Sequence, residues 1–387
     1  MINMDDGQRA AIIDLTFALL ILPHHVVIVM TNPPWTSSLS FFPHSSNKGM
    51  SQFASTGDNK SVVSVSLGTM TIGAQTSKEQ AAEQLIYFNQ RGYHQVDTAR
   101  MYCHGLTEEI LGELCHDSSL EESVVSKLRF SSKANAFADY NKSLAPESVR
   151  EQSDAILTAL QLPSTDIFYL HAPDIHTPIE DTLAAIHDLY LEKRFRVFGL
   201  SNYAAWEVVY IHSVCKMNGW VLPTVYQGMY NAVTRDVEKE LFPALKKLNM
   251  SFNAYNPLCG GLLSGKHSLA DSAASAGTRF DDRNVLYRQR YWKPEYFQAL
   301  ECLHAACLSE GGDEALLLAD CSLRWLTHHS ALSGARGDGV IIGASCMEHL
   351  KSNLDSCEAG PLSAGMVEAF ERAWEATQPV CEKYFRP

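Results

Sequence analysis

The sequence predicts an α/β chain folded as a closed (β/α)8 barrel, with extra helices at its carboxyl end and a long loop after the seventh strand. Three observations predict it. From Ser61 onward, short β-branched runs alternate with amphipathic helical stretches, the mark of βα units on a parallel sheet. Eight strands can be placed without any internal repeat, which favours closure into a barrel over an open doubly wound sheet. The 387 residues are 46% hydrophobic and 10% aromatic, enough to fill one large core with extensions to spare.

The first strand is expected over Ser64–Leu67, followed by a helix over Ser77–Arg91 that Thr76 and Ser77 introduce as caps. A strand over His94–Thr98 leads to a helix over Leu106–Cys115. A strand over Phe130–Lys133 leads to a helix over Pro146–Leu160, where proline at the start sacrifices no needed N–H. The next units join strand Asp166–His171 to helix Ile179–Glu192, and strand Arg196–Ser201 to helix Ala204–Met217. Thr224–Gln227 is the sixth strand, with a helix over Val237–Leu248 behind it. Ser251–Tyr255 is the seventh. An irregular stretch then runs to about Pro294, and two helical segments precede the eighth strand, Gly339–Gly343.

Residues 1–60 read as an extension separate from the barrel of residues 61–387. Ala10–Met30 is long enough to cross a bilayer, but Asp14, Pro23, His24 and His25 interrupt it. Asp5 and Asp6 ahead of it have the wrong sign for a signal peptide. Thr31–Asn47, rich in Ser, Pro and Asn, reads as a linker, and Met50 stands as an alternative start. The extension is therefore expected to be dispensable and the protein cytoplasmic, with membrane association the lesser alternative.

A formal net charge of −13 argues against nucleic-acid partners, whose binding rests on Lys and Arg. A site for an anionic cofactor must then concentrate positive charge locally. The ten cysteines include no Cys-x-x-Cys pair, and Cys215, Cys302, Cys307 and Cys321 sit in apolar helical patterns, so they read as reduced and buried. His24-His25 and His328-His329 are adjacent pairs that point apart, and no metal is implied.

The chemistry collects at strand ends: Asp97, Lys133, His171, Ser201 with Asn202, Gln227 and Asn256. In a parallel barrel all carboxyl ends open on one face, so these distant residues converge in one pocket. Each also has a plainer reading: Tyr102 as a core aromatic, Asp97 as a helix cap, His171 as a satisfied buried histidine. Their joint placement favours chemistry.

The run Asp97-Thr98-Ala99-Arg100-Met101-Tyr102, with Ser132-Lys133-Ala134-Asn135 and Tyr169-Leu170-His171-Ala172-Pro173-Asp174, resembles the Asp-Tyr-Lys-His tetrad of the aldo-keto reductases. Gly199-Leu200-Ser201-Asn202-Tyr203, Tyr226–Asn231 and Tyr255–Leu258 extend the likeness, which runs from Val65 to Arg386 and is nearest to the aflatoxin-aldehyde (succinic semialdehyde) reductase subfamily. The resemblance implies reduction of a small-molecule aldehyde with NADPH, Tyr102 supplying the proton, and a homodimer as the assembly to consider. A lysine ammonium beside Tyr102 is expected to lower the phenol's pKa from about 10, with buried Asp97 holding the lysine in place. His171 is expected to hydrogen-bond the substrate oxygen. Lys127 is the rival for the lysine role.

For the cofactor, the resemblance implies Asp97, Ser201, Asn202 and Gln227, then the loop Asn256, Pro257, Leu258, Gly260, Gly261, Leu262, Gly265 and Lys266. After the eighth strand it implies Gly343, Ser345, His349 and Asn353 at a helix amino end suited to phosphate. Arg279 is expected to add charge. Lys and Arg, common here in the family, are replaced by Ala344 and His349, so NADH stays open. Substrate contacts are expected from His171, Tyr287, Arg290 and Arg386, the two arginines meeting a carboxylate. Two alternatives compete. Potassium-channel β subunits share the resemblance and act by docking. Gly260–Lys266 also has P-loop spacing, but His267 replaces the Ser or Thr that would bind magnesium.

Overall fold

Parallel strands cannot be joined by tight turns, so each pair needs a crossover, and a helix packed on the sheet is the common solution. That rule builds the larger of two units in the chain, residues 55–387. The computed structural model describes residues 20–22, 25–27, 62–136, 143–269, 278–281, 285–311 and 316–386. In the unit of residues 1–54, Leu20–Leu22 pairs antiparallel with His25–Val27. The rest of the Ala10–Met30 stretch, the Thr31–Asn47 linker and Met50 lie outside the described residues. Among the described residues no helix is long and apolar enough to cross a membrane.

The barrel strands are β1 (Ser64–Gly68), β2 (Gln95–Asp97), β3 (Arg129–Ala134), β4 (Thr165–Leu170), β5 (Phe195–Ser201), β6 (Pro223–Met229), β7 (Ser251–Tyr255) and β8 (Gly339–Gly343). All pair in parallel and in chain order, and β8 closes on β1 from Gly339 opposite Ser64 to Gly343 opposite Gly68. The predicted fold class is the observed one.

Around the barrel run α1 (Lys78–Gln90), α2 (Leu106–His116), α3 (Pro146–Leu160), α4 (Ile179–Leu191), α5 (Ala205–Asn218) and α6 (Leu241–Leu248). Each buries one apolar face on the strands, as α1 does with Ala81, Leu85 and Phe88. Ser77 caps α1 in a reciprocal capping box with Gln80. The helix expected over Val237–Leu248 is split into a 3₁₀ turn, Asp236–Glu238, and α6. Pro243 explains the split: its ring would clash with the carbonyl four residues back, at Lys239, if α6 extended upstream.

The irregular stretch after β7 holds a 3₁₀ turn, Cys259–Ser264, and a short helix, α7 (Val285–Tyr291). Described residues 266–269 are not helical, so the helix that a P-loop carries directly after its lysine does not start there. The chain continues through α8 (Pro294–Glu310), α9 (Leu318–His328), α10 (Met347–Glu358) and α11 (Ala364–Thr377).

The barrel interior is plugged beneath the site. Tyr169 fills it with Ile167 and Val225, and its hydroxyl accepts a 3.1 Å hydrogen bond from Asn253 Nδ2. Gly199 makes room, because a Cβ there would stand 2.4 Å from the Tyr169 ring.

Candidate active site

The carboxyl ends of β2 and β3 carry an ion pair that water does not reach. Lys133 is fully buried and Asp97 nearly so. Lys133 Nζ lies 2.8 Å from both Asp97 oxygens and 2.7 Å from the Thr98 carbonyl, which engages all three ammonium protons. Asp97 Oδ1 also accepts hydrogen bonds from Ser131 Oγ at 2.9 Å and Gln227 Nε2 at 2.8 Å. A buried pair is tolerable when its remaining lone pairs are satisfied in this way. Lys127, the rival lysine, is exposed in the turn before β3, and the geometry selects Lys133.

Lys133 Nζ sits between two aromatic rings, 5.7 Å from the Tyr102 centroid and 5.6 Å from that of Tyr169. Tyr102 opens the turn Tyr102–Gly105, in which Cys103 (φ 49°), His104 (φ 55°) and Gly105 (φ 101°) are all left-handed. Two non-glycine residues in that region cost energy, so the turn has to be held from outside. Arg100 Nη1 donates to the Gly105 carbonyl at 2.6 Å while Nη2 pairs with Glu109 at 2.8 Å. A Cβ on Gly105 would come within 2.5 Å of that guanidinium.

The expectation that lysine lowers the Tyr102 pKa is corrected here. Burial pushes the phenol well above its usual range, and the Asp97 charge adds to the rise. Lys133 is paired with Asp97, whose opposite charge counters its own, so the lysine does not offset both effects. Tyr102 is therefore a neutral phenol throughout the neutral pH range. His171 moves the other way: burial, then the charges of Lys133 and Arg386, hold it well below 6.5 and keep it a neutral imidazole.

His171 follows β4, and its carbonyl accepts a 2.8 Å bond from Asn202 Nδ2. Asn202 is left-handed (φ 64°) at the end of β5, and Oδ1 accepts the Tyr255 hydroxyl at 2.7 Å. Its carbonyl receives the Arg386 backbone N–H at 2.9 Å, which stitches the carboxyl-terminal tail to the site. Tyr384 anchors that tail, donating to Glu240 at 2.5 Å and accepting from Ala205 N at 2.9 Å. The charges of Arg290 and Arg386 both act on Tyr255, and Arg290 also depresses Arg386. The two guanidiniums thus share the neighbourhood of Tyr255, and Arg386 also acts on His171.

The glycine loop is shaped for close approach. Asn256 (φ 57°), Gly260 (φ 69°), Gly261 (φ 105°) and Gly265 (φ 74°) are all left-handed. Asn256 Nδ2 is buried with no hydrogen-bond partner among the described residues, while Oδ1 accepts Tyr287 OH at 3.1 Å. A Cβ on Gly260 would strike the Tyr287 ring at 2.6 Å. Pro257 and Leu262 are buried beneath the loop, Leu258 is half-buried, and Lys266 is exposed.

Arg279 is held by Tyr287 OH at 2.8 Å and Met70 Sδ at 3.0 Å, and its charge acts on Tyr102. Past β8, Asn353 Nδ2 donates to the Gly343 carbonyl at 3.0 Å and Ser345 Oγ meets His349 Nδ1 at 3.1 Å. Helix α10 starts there after Cys346, which provides no side-chain cap; Glu348 takes its own N–H, and the other first-turn N–H groups suit an anion.

These features fit a nicotinamide dinucleotide. An orphaned amide on Asn256, the left-handed glycines and an uncapped helix start together offer donors along one edge of the site. Ser201, Asn202 and Gln227 would hold the nicotinamide, since Gln227 bonds Asp97 only through Nε2. Sequence reasoning missed Tyr255, Arg100 and Ser131. Tyr255 ends β7, so its strand-end position was the available signal; the roles of Arg100 and Ser131 exist only in the folded contacts.

Residues 64–375 match the model of the Aldo/keto reductase family. Aflatoxin B1 aldehyde reductase member 2 of Mus musculus is 46% identical over 323 residues, covering 83% of this chain and 87% of that protein. Aldo-keto reductase family 7 member A3 of Homo sapiens is 44% identical over 323 residues, 83% of this chain and 96% of its own. Aldo-keto reductase pigE of Monascus ruber is 34% identical over 305 residues, 77% and 87% respectively.

Proposed function

This chain belongs to the aldo/keto reductase family and is an oxidoreductase, and from that premise we propose that it reduces aldehydes to alcohols with NADPH, Tyr102 giving the proton. The observation that carries the reading is the meeting of a neutral phenol, a buried ammonium and a neutral imidazole at one end of the barrel. When bound, the reduced nicotinamide supplies the hydride.

The chain's own groups handle the oxygen. His171 donates a hydrogen bond to the carbonyl, orienting it and stabilising the charge that grows there. Tyr102 transfers its phenolic proton to the oxygen as that charge develops. Lys133 then faces a phenolate, and a charge that appears only during the reaction is stabilised more than the ground state is. Asp97 keeps the ammonium under the ring.

Arg290 and Arg386 support a preference for aldehydes bearing a carboxylate. The uncapped start of α10 suits a 2′-phosphate, which NADPH carries and NADH lacks, and this supports NADPH. The relatives reported above are reductases, so the docking-module alternative gains nothing from them.

The test is steady-state turnover of succinic semialdehyde and an uncharged aldehyde of equal length, with NADPH and with NADH. NADPH and the acid should give the higher kcat/KM. Arg290→Ala should raise KM for the acid about tenfold, the loss of a charged hydrogen bond, and leave the uncharged aldehyde unchanged. Equal losses on both substrates reject carboxylate recognition, and no turnover of any aldehyde rejects the reading.

A further inference from the structure

Glu108 has no part in the roles assigned above, yet it is fully buried in the first turn of α2. Ser132 Oγ donates to its Oε1 at 2.5 Å, while its Oε2 is buried with no hydrogen-bond partner among the described residues. Ser132 precedes Lys133 on β3, and consecutive strand residues point to opposite faces. Glu108 thus grips the outer face of the strand whose inner face carries the ammonium. At the other end of this contact, α2 continues straight from the left-handed turn that presents Tyr102. Arg100 braces that turn from one side, and Thr107 Oγ1 ties the start of α2 to the Ile72 carbonyl at 2.8 Å. Neither contact reaches β3.

We propose that Glu108 is a positioning residue, which with Ser132 clasps the Tyr102 turn to β3 and so sets the phenol's place over Lys133. The proposal rests on Tyr102 being the proton donor. The clasp also responds to pH. Burial pushes the Glu108 carboxyl up to about 7, against the pull of Ser132, Arg100 and Lys133 and with a push from Glu109. Below that pH it is a neutral acid, suited to a dry site. Above it the carboxylate accepts the Ser132 hydroxyl more strongly, because that bond is among the effects that favour the anion. The clasp is therefore weaker on the acid side and tightens as pH rises.

The experiment uses the full-length chain and the variants Ser132→Ala, Glu108→Ala, Glu108→Gln and Tyr102→Phe. It reads kcat, KM and NADPH binding between about pH 5.5 and 8.5, a range that brackets the titration. Ser132→Ala and Glu108→Ala should lower kcat about tenfold through misplacement of the phenol, with KM and NADPH affinity held within about twofold. Wild-type kcat should rise as pH rises through about 7. Glu108→Gln cannot ionise, so it should keep the acid-side kcat and lose that rise.

If Glu108→Ala does not fold, Ser132→Ala carries the same test by removing a single hydroxyl. Wild-type kcat in Ser132→Ala, or an unchanged pH rise in Glu108→Gln, overturns the clasp alone, provided Tyr102→Phe is impaired. Full activity in Tyr102→Phe overturns the proton-donor reading and the clasp together.

Discussion

A phenol that its surroundings keep protonated gives its proton only to a stronger base, and an oxygen gaining charge from hydride addition is such a base. Tyr102 meets this condition because burial and Asp97 together outweigh the ammonium beneath it. Tyr102→Phe should fold, bind NADPH with unchanged Kd by fluorescence titration, and lose roughly 10²–10⁴-fold in kcat. Turnover near the wild-type value would remove the hydroxyl from the chemistry. The convergence of Asp97, Lys133 and His171 was legible in the sequence, because polar residues at the carboxyl ends of predicted strands have one place to meet; Tyr102 was picked out by the family resemblance. The protonation of Tyr102 was not legible. It depends on the burial of the phenol and on the charge of Asp97 beside it, which only folding fixes.

The loop after β7 is the element least legible from sequence. Its seven-residue helix α7 is too short to hold itself in water, and it persists because Tyr287 and Tyr291 are buried against the rest of the fold. A periodicity argument cannot see such support. Nor could it see that Gly260 exists for Tyr287, whose ring lies where a Cβ would be. Gly260→Ala should therefore strain the loop twice, through φ 69° and through the 2.6 Å contact. We expect a loss of about 1–3 kcal/mol, read as a lower Tm and weaker NADPH binding, with kcat at saturating cofactor little changed. An unaltered NADPH Kd would separate this loop from the cofactor. The helices on the regular units were placed to within a few residues, and the division of Val237–Leu248 followed from a proline that the pattern had absorbed.

At the scale of the molecule, alternation of strand and helix was enough to predict the barrel, because eight consecutive βα units have few other ways to bury their apolar faces. All eight strands lie between Ser64 and Gly343, and the barrel unit begins at Ser55. A chain shortened to start at Met50 should then be soluble and match the full chain in kcat/KM; aggregation of the shortened form alone would place part of the fold upstream. The seam between β8 and β1 has a further consequence. Ser64 Oγ reaches the Asp338 carbonyl across 274 positions of sequence. In a loop-closure estimate, bringing such ends together costs on the order of 5 kcal/mol of chain entropy before any contact repays it. Neighbouring strands meet over far shorter spans, so an open, curled sheet is expected to assemble first and the ring to shut late. Until that moment β1 and β8 are bare edges, each able to accept a strand from another molecule. The time to refold, and the protein's exposure to aggregation while it does so, are then governed by five residue pairs at one seam.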